Sequence, residues 1–73
     1  MKTAADLDIG EKGLISGIDT EHPASMRIIE YGFTPGQTIE VTNHTIFKDP
    51  IAFSIRGSII ALRKKDARCI KIN

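Results

Sequence analysis

A mainly β fold, curled into a small and strongly bent barrel of about five strands with one short helix and a single helical turn before the last strand, is what this sequence predicts. Three observations carry that expectation. Apolar and polar residues alternate over short runs, as in Ile39 and Val41 or Ile51, Phe53 and Ile55, rather than recurring every three or four positions. Turn formers punctuate those runs closely, at Gly10, Pro35-Gly36, Asp49-Pro50 and Gly57. The 73 residues suffice for a single domain, 1–73, and are too few for two. So short a chain buries only about 60% of the surface its unfolded form exposes, so the core is thin.

Taken in order, ADLDIGEKGLISGID reads as a short lead-in, a Gly10-to-Gly13 turn and a first strand with Leu14, Ser16 and Ile18 on one face and Ile15 and Gly17 on the other. TEHPASMRIIEYG reads as a short helix, with Pro23 in its first turn, Gly32 just beyond its end, and Met26, Ile28 and Ile29 as an inward stripe. With Gly32 at C′, Ile28 and Phe33 become the C3 and C″ residues that meet in a Schellman cap. Thr34-Pro35-Gly36-Gln37 then carries Pro and Gly at the two central places of a type II turn, and a strand through Ile39 and Val41 follows.

NHTIFKDP loses the alternation and reads as a loop. IAFSIRG resumes it, Gly57 and Ser58 mark a tight turn, IIALR is a further strand, KKDAR a single helical turn, and CIKIN a last strand with Ile70 and Ile72 inward. Five short strands, brief turns and one helical insertion fit a barrel of the SH3-like type.

The composition, 41% hydrophobic and 26% charged, is that of a folded protein. Cys69 stands alone, so an internal disulfide is excluded; no cationic start leads into a long apolar run, and a cytoplasmic address is expected. The net charge of +1 conceals an asymmetry. Residues 1–47 hold three basic groups against seven acids, a balance of −4, whereas Arg56, Arg63, Lys64, Lys65, Arg68 and Lys71 face only Asp66, a balance of +5.

Catalysis is not expected. No nucleophile–base pattern, zinc-protease motif or phosphate loop is present. His22 and His44 read as solvated polar residues, Cys69 as a structural thiol, and no Cys/His/carboxylate cluster suggests a metal site. Gly32, Pro35, Gly36 and Gly57 are read as structural turn positions. Ile46 and Phe47 at a loop tip must cover something: either they fold over an open barrel end or they dock on a partner. Arg27, Arg56 and Arg63 join them as candidate partner-binding residues.

The run MRIIEYGFTPGQTIEV, followed by KDPIAFSIRGSIIALRKKDARCIKI, closely resembles the FeoA family, the ferrous iron transport protein A domain, over nearly the whole chain. That pattern runs arginine-rich helix, L-G-L/F-x-P-G, alternating strand, D-P, alternating strand, R-G, A-L-R and a terminal I-x-V/I. This chain departs from it at Met26, where the family helix often has a second arginine, and at Lys48, where the loop usually has Gly. The resemblance implies an SH3-type barrel and a small, non-enzymatic accessory of a ferrous iron uptake system. Its implied partner is the cytosolic region of a membrane ferrous iron transporter with a G-protein domain, through which it would sit at the inner membrane. No cofactor is expected beyond a weak or transient ferrous iron contact, and an unpaired strand would permit weak homo-oligomers.

Two alternatives stand beside it. A nucleic-acid-binding small barrel would use the basic carboxy-terminal third, but the near-neutral charge and four aromatics, with Phe33 and Phe53 assigned to the core, argue against nucleic acid. A repressor-type SH3-like peptide-binding module lacks the aromatic groove that proline-rich ligands use.

Overall fold

The computed structural model describes residues 2–73. Its strands are β1 (Lys12–Ile18), β2 (Thr38–His44), β3 (Ile51–Ile55), β4 (Ser58–Leu62) and β5 (Ile70–Ile72), joined in one antiparallel sheet of order β4-β3-β2-β1-β5. Helix α1 (Ser25–Glu30) lies between β1 and β2, the single turn α2 (Lys64–Ala67) between β4 and β5, and a 3₁₀ turn over Ala4–Asp6 precedes β1.

The sheet curls because β1 serves two neighbours in succession. Lys12, Gly13 and Leu14 pair with β2, whereas Ile15, Gly17 and Ile18 pair with β5, with a register shift between Ile15 and Gly17. Such a bulge bends a strand and raises its twist. Gly13 packs tightly against β5: a Cβ there would stand 2.9 Å from Cγ2 of Ile72. A second shift, between Val41 and Asn43, bends β2 against β3. On the far side of β5 the chain start forms a Thr3–Lys71 bridge, and Ile72 donates its N–H to the Lys2 carbonyl at 3.0 Å. The outer edge of β4 has no strand beside it among the described residues.

Alternation delivers the core as expected: Ile39 and Val41 from β2, Ile51, Phe53 and Ile55 from β3, and Ile70 and Ile72 from β5 are all buried. Phe33 and Phe53 meet edge to face, with ring centroids 6.1 Å apart at 82°, an arrangement that adds about 0.5–1.5 kcal/mol to the burial of the rings themselves. The helix terminates in the Schellman geometry. Phe33 donates its N–H to the Ile28 carbonyl at 3.2 Å, Gly32 to Ile29 at 2.9 Å, and Gly32 has φ 106°. The type II turn closes through the Gln37 N–H to the Thr34 carbonyl at 3.2 Å, with Gly36 at φ 94°.

Several local expectations change. The inward residues of α1 are Ser25 and Ile28, backed by Ala24, whereas Met26 and Ile29 face outward, Met26 being 71% exposed. The cap fixes Ile28 against Phe33, and on a helix of six residues only one narrow stripe fits beneath it. Pro23 lies in the turn before α1 rather than in its first turn. The turn before β1 is narrower than Gly10 to Gly13, because β1 already starts at Lys12. On β1 the expected separation of Ile15, buried, from Leu14 and Ser16, exposed, holds, whereas Ile18 beyond the register shift packs against the core instead of sharing the outer face. His44 ends β2 instead of opening the loop. The tight turn after β3 is centred on Arg56 and Gly57, at φ 51° and 83°, between the paired residues Ile55 and Ser58. A two-residue hairpin needs this mirror-image twist.

Candidate docking surfaces

The β2–β3 loop closes on itself before its side chains take part. The Thr45 hydroxyl donates to the Asp49 carbonyl at 2.9 Å and accepts the Asp49 N–H at 3.2 Å, while Lys48 donates its N–H to the Thr45 carbonyl at 2.8 Å. Lys48 takes φ 59° to complete the turn, and its ammonium reaches Asp8 at 3.1 Å, tying the loop to the segment before β1. Ile46 and Phe47 are left at the apex, 89% and 83% exposed. The reading in which they plug the barrel end is therefore wrong: the hydroxyl clasp and the left-handed Lys48 hold them out from the surface.

Two depressions flank this loop. On the sheet side a shallow, largely apolar groove of about 180 Å³ is lined by Asn43, His44, Thr45, Pro50, Ala52 and Ala61. On the other side an open cleft of about 570 Å³ is lined by Asp49, Arg63, Lys64, Lys65, Asp66 and Arg68. Asp49 joins the two, since its Oδ1 accepts the Lys64 N–H at 3.1 Å and thereby serves a first-turn amide of α2 from outside the helix.

The five sequence-selected partner residues do not form one patch. Arg63 lines the cleft beside the loop that carries Ile46 and Phe47. Arg27 is engaged within the fold, its Nη2 donating to Asp66 Oδ2 at 3.0 Å; the guanidinium is half exposed and the carboxylate largely covered. Arg56 sits at the opposite end of β3, which at about 3.3 Å per residue puts it roughly 16 Å away. The outward Met26, Ile29 and Tyr31 make a separate exposed apolar face on and just after α1.

Asp66 and His22 were missed by sequence reasoning as organising residues. Asp66 is only 8% exposed and fastens α1 to α2 through Arg27. His22 is not a freely solvated side chain. Its Nδ1 accepts the Ala24 N–H at 3.0 Å, so the proton sits on Nε2, which donates to the Lys65 carbonyl at 2.9 Å. Neither contact has a local sequence signal, since the partners lie 39 and 43 positions apart.

The sulfur of Cys69 is fully buried, and burial pushes its thiol pKa up, with the charges of Asp19 and Asp66 acting in the same direction. The Asp6 carboxyl is held below the usual range, chiefly by the Thr3 N–H, then by the Thr3 hydroxyl and the charge of Arg68. Among the described residues no three His, Cys, Asp or Glu side chains come together to hold a metal, and no helix is long and apolar enough to cross a membrane.

This fold has known counterparts. The family model described as the FeoA domain matches residues 2–73. The Fe(2+) transport protein A/Fe(2+) transporter FeoB fusion protein of Porphyromonas gingivalis is 29% identical over 68 residues, which make up 93% of this chain and 8% of that protein. Among solved structures, the FeoA-like protein of Clostridium acetobutylicum superposes with TM-score 0.89 at 28% identity, covering 100% of this chain and 88% of that one. The zinc-complexed FeoA of Stenotrophomonas maltophilia, an SH3 domain protein, superposes with TM-score 0.89 at 16% identity, covering 100% and 91%, a likeness of fold.

Proposed function

The chain belongs to the FeoA family, a family of small SH3-like domains linked to ferrous iron transport, and on that premise we propose that it is a non-enzymatic cytoplasmic adaptor that binds the cytosolic region of a FeoB-type transporter. The observation that carries this reading is the fusion protein of Porphyromonas gingivalis, in which a segment like this chain is joined to a FeoB transporter. Covalent linkage holds two modules at high effective concentration, an arrangement that suits modules which act on one another, and such action needs a docking surface on this domain. The Ile46–Phe47 apex meets that need. Its two large apolar side chains stand in solvent on a hydrogen-bonded turn, and burying them against a partner would stabilise the complex by about 1.5–3 kcal/mol each. The G-protein domain is the docking partner in this proposal, and nucleic acid and a resident cofactor have no part in it.

The test is capture of the transporter's cytosolic region by the Ile46→Asp variant, with folding followed separately by thermal melting. An unchanged melt and a loss of about 2 kcal/mol in binding, roughly thirty-fold in Kd, are expected. Unchanged capture would remove the apex from the interface and leave the Met26, Ile29 and Tyr31 face as the docking surface.

A further inference from the structure

The cleft beside α2 is not charge-balanced. Arg63, Lys64, Lys65 and Arg68 line it with Asp49 and Asp66. The ion pairs among the described residues are Lys2–Glu11, Arg27–Asp66 and Lys48–Asp8, so none of the four lining cations has a carboxylate within pairing distance. Both lining acids are already engaged, Asp49 by the Lys64 N–H at 3.1 Å and Asp66 by the Arg27 guanidinium at 3.0 Å. Asp6, on the 3₁₀ turn packed against α2, accepts the Thr3 N–H at 2.9 Å and feels the charge of Arg68, but forms no ion pair with it.

We propose that this cleft binds a phosphate group, carried either by an anionic phospholipid headgroup or by a soluble phosphate compound. A lone carboxylate offers two oxygens and one charge, which matches one guanidinium fork. Inorganic phosphate or a phosphomonoester offers up to two charges and three or more acceptor oxygens, and a phosphodiester headgroup offers one charge per phosphate repeated across a membrane surface, either of which suits two forks and two ammonium groups lining one cleft. The backbone beneath is already ordered. The Arg63 carbonyl accepts the N–H groups of Asp66 and Ala67, both at 2.9 Å, the Lys65 carbonyl accepts from His22 at 2.9 Å, and Ala67 and Cys69 are fully buried below. Only side-chain freedom is lost when the anion arrives. The site rests on side chains, since Asp49 already takes the first α2 amide.

The proposal is independent of transporter docking, and its test contains no transporter. Inorganic phosphate titrated into the isotopically labelled full chain, at about 0.15 M salt, is expected to shift the Arg63 to Arg68 amides along a saturating curve. The double variant Arg63→Gln/Arg68→Gln should weaken that binding by about tenfold or more with an unchanged melt. Should that variant unfold, the exposed Lys65→Gln carries the same expectation at several-fold. Arg56→Gln, at the far end of β3, should bind as the parent does. Vesicles containing about one quarter phosphatidylglycerol in phosphatidylcholine then separate the two sources. Sedimentation with them that the double variant abolishes identifies a headgroup, and phosphate saturation without sedimentation identifies a soluble compound. Shifts that rise linearly over all basic residues, equal weakening in Arg56→Gln, or acetate matching phosphate would overturn the assignment. So would a short RNA that binds outside the cleft at lower concentration than phosphate binds within it.

Discussion

Lys48 and Gly36 occupy the same left-handed region of backbone space, at φ 59° and 94°, and only one of them is a glycine. A residue with a Cβ is strained there by about 1–2 kcal/mol, so the loop makes a conformational demand at Lys48 that this chain meets under strain. Lys48→Gly should raise stability by about 0.5–1 kcal/mol, the strain relieved outweighing the greater freedom of glycine when unfolded and the loss of the exposed Asp8 contact. Gly36→Val should lower it by about 1–3 kcal/mol. Nothing lies within 4 Å of a Cβ at Gly36, so that loss comes from the backbone alone. Urea midpoints of the two variants check both signs, and an unchanged midpoint for Gly36→Val would reject the role given to the type II turn.

Asp49 holds an element in place from outside it. Helix α2 has only four residues, and its own N-cap residue, Arg63, has no side-chain acceptor, so the Asp49 carboxylate does that work across the cleft. Asp49→Ala should destabilise the fold by about 0.5–2 kcal/mol, the range of a lost cap, whereas Asp49→Asn keeps an oxygen acceptor and should lose less. Equal losses in the two variants, measured by chemical denaturation, would show that the charge rather than the hydrogen bond matters. The same reasoning explains Arg27. It was selected from sequence as a partner residue, yet its guanidinium joins α1 to α2 by pairing with Asp66, which is only 8% exposed.

At the scale of the whole molecule, burial fixes the chemistry of Cys69. The thiol lies within the core with its pKa raised, so at neutral pH it is protonated and shielded. Alkylation of the native chain should be slow and should become fast on unfolding. A thiol whose folded pKa lies above its unfolded one contributes stability that is complete below the unfolded value, about 8.5. As pH rises through that value toward the folded pKa, the unfolded chain releases a proton that the folded chain keeps, so stability falls. Thermal melts from neutral to alkaline pH should show this decline, and Cys69→Ala should remove it. A parent decline that persists in the variant would place the titration elsewhere.

The sequence by itself determined the parts of this protein that depend on neighbours along the chain. Alternation set the inward faces of β2, β3 and β5, Pro and Gly placed the turn before β2, and the spacing of Ile28, Gly32 and Phe33 specified the helix cap. These are local demands of backbone geometry and side-chain period, and they hold wherever the segment sits. Only the tertiary structure decided which way α1 faces, where β1 changes partner, and that Ile46 and Phe47 stand clear of the barrel. It alone brought Asp49 to the amide of Lys64 and Arg27 to Asp66, because those contacts join residues far apart in sequence and depend on a curvature that two bulges introduce.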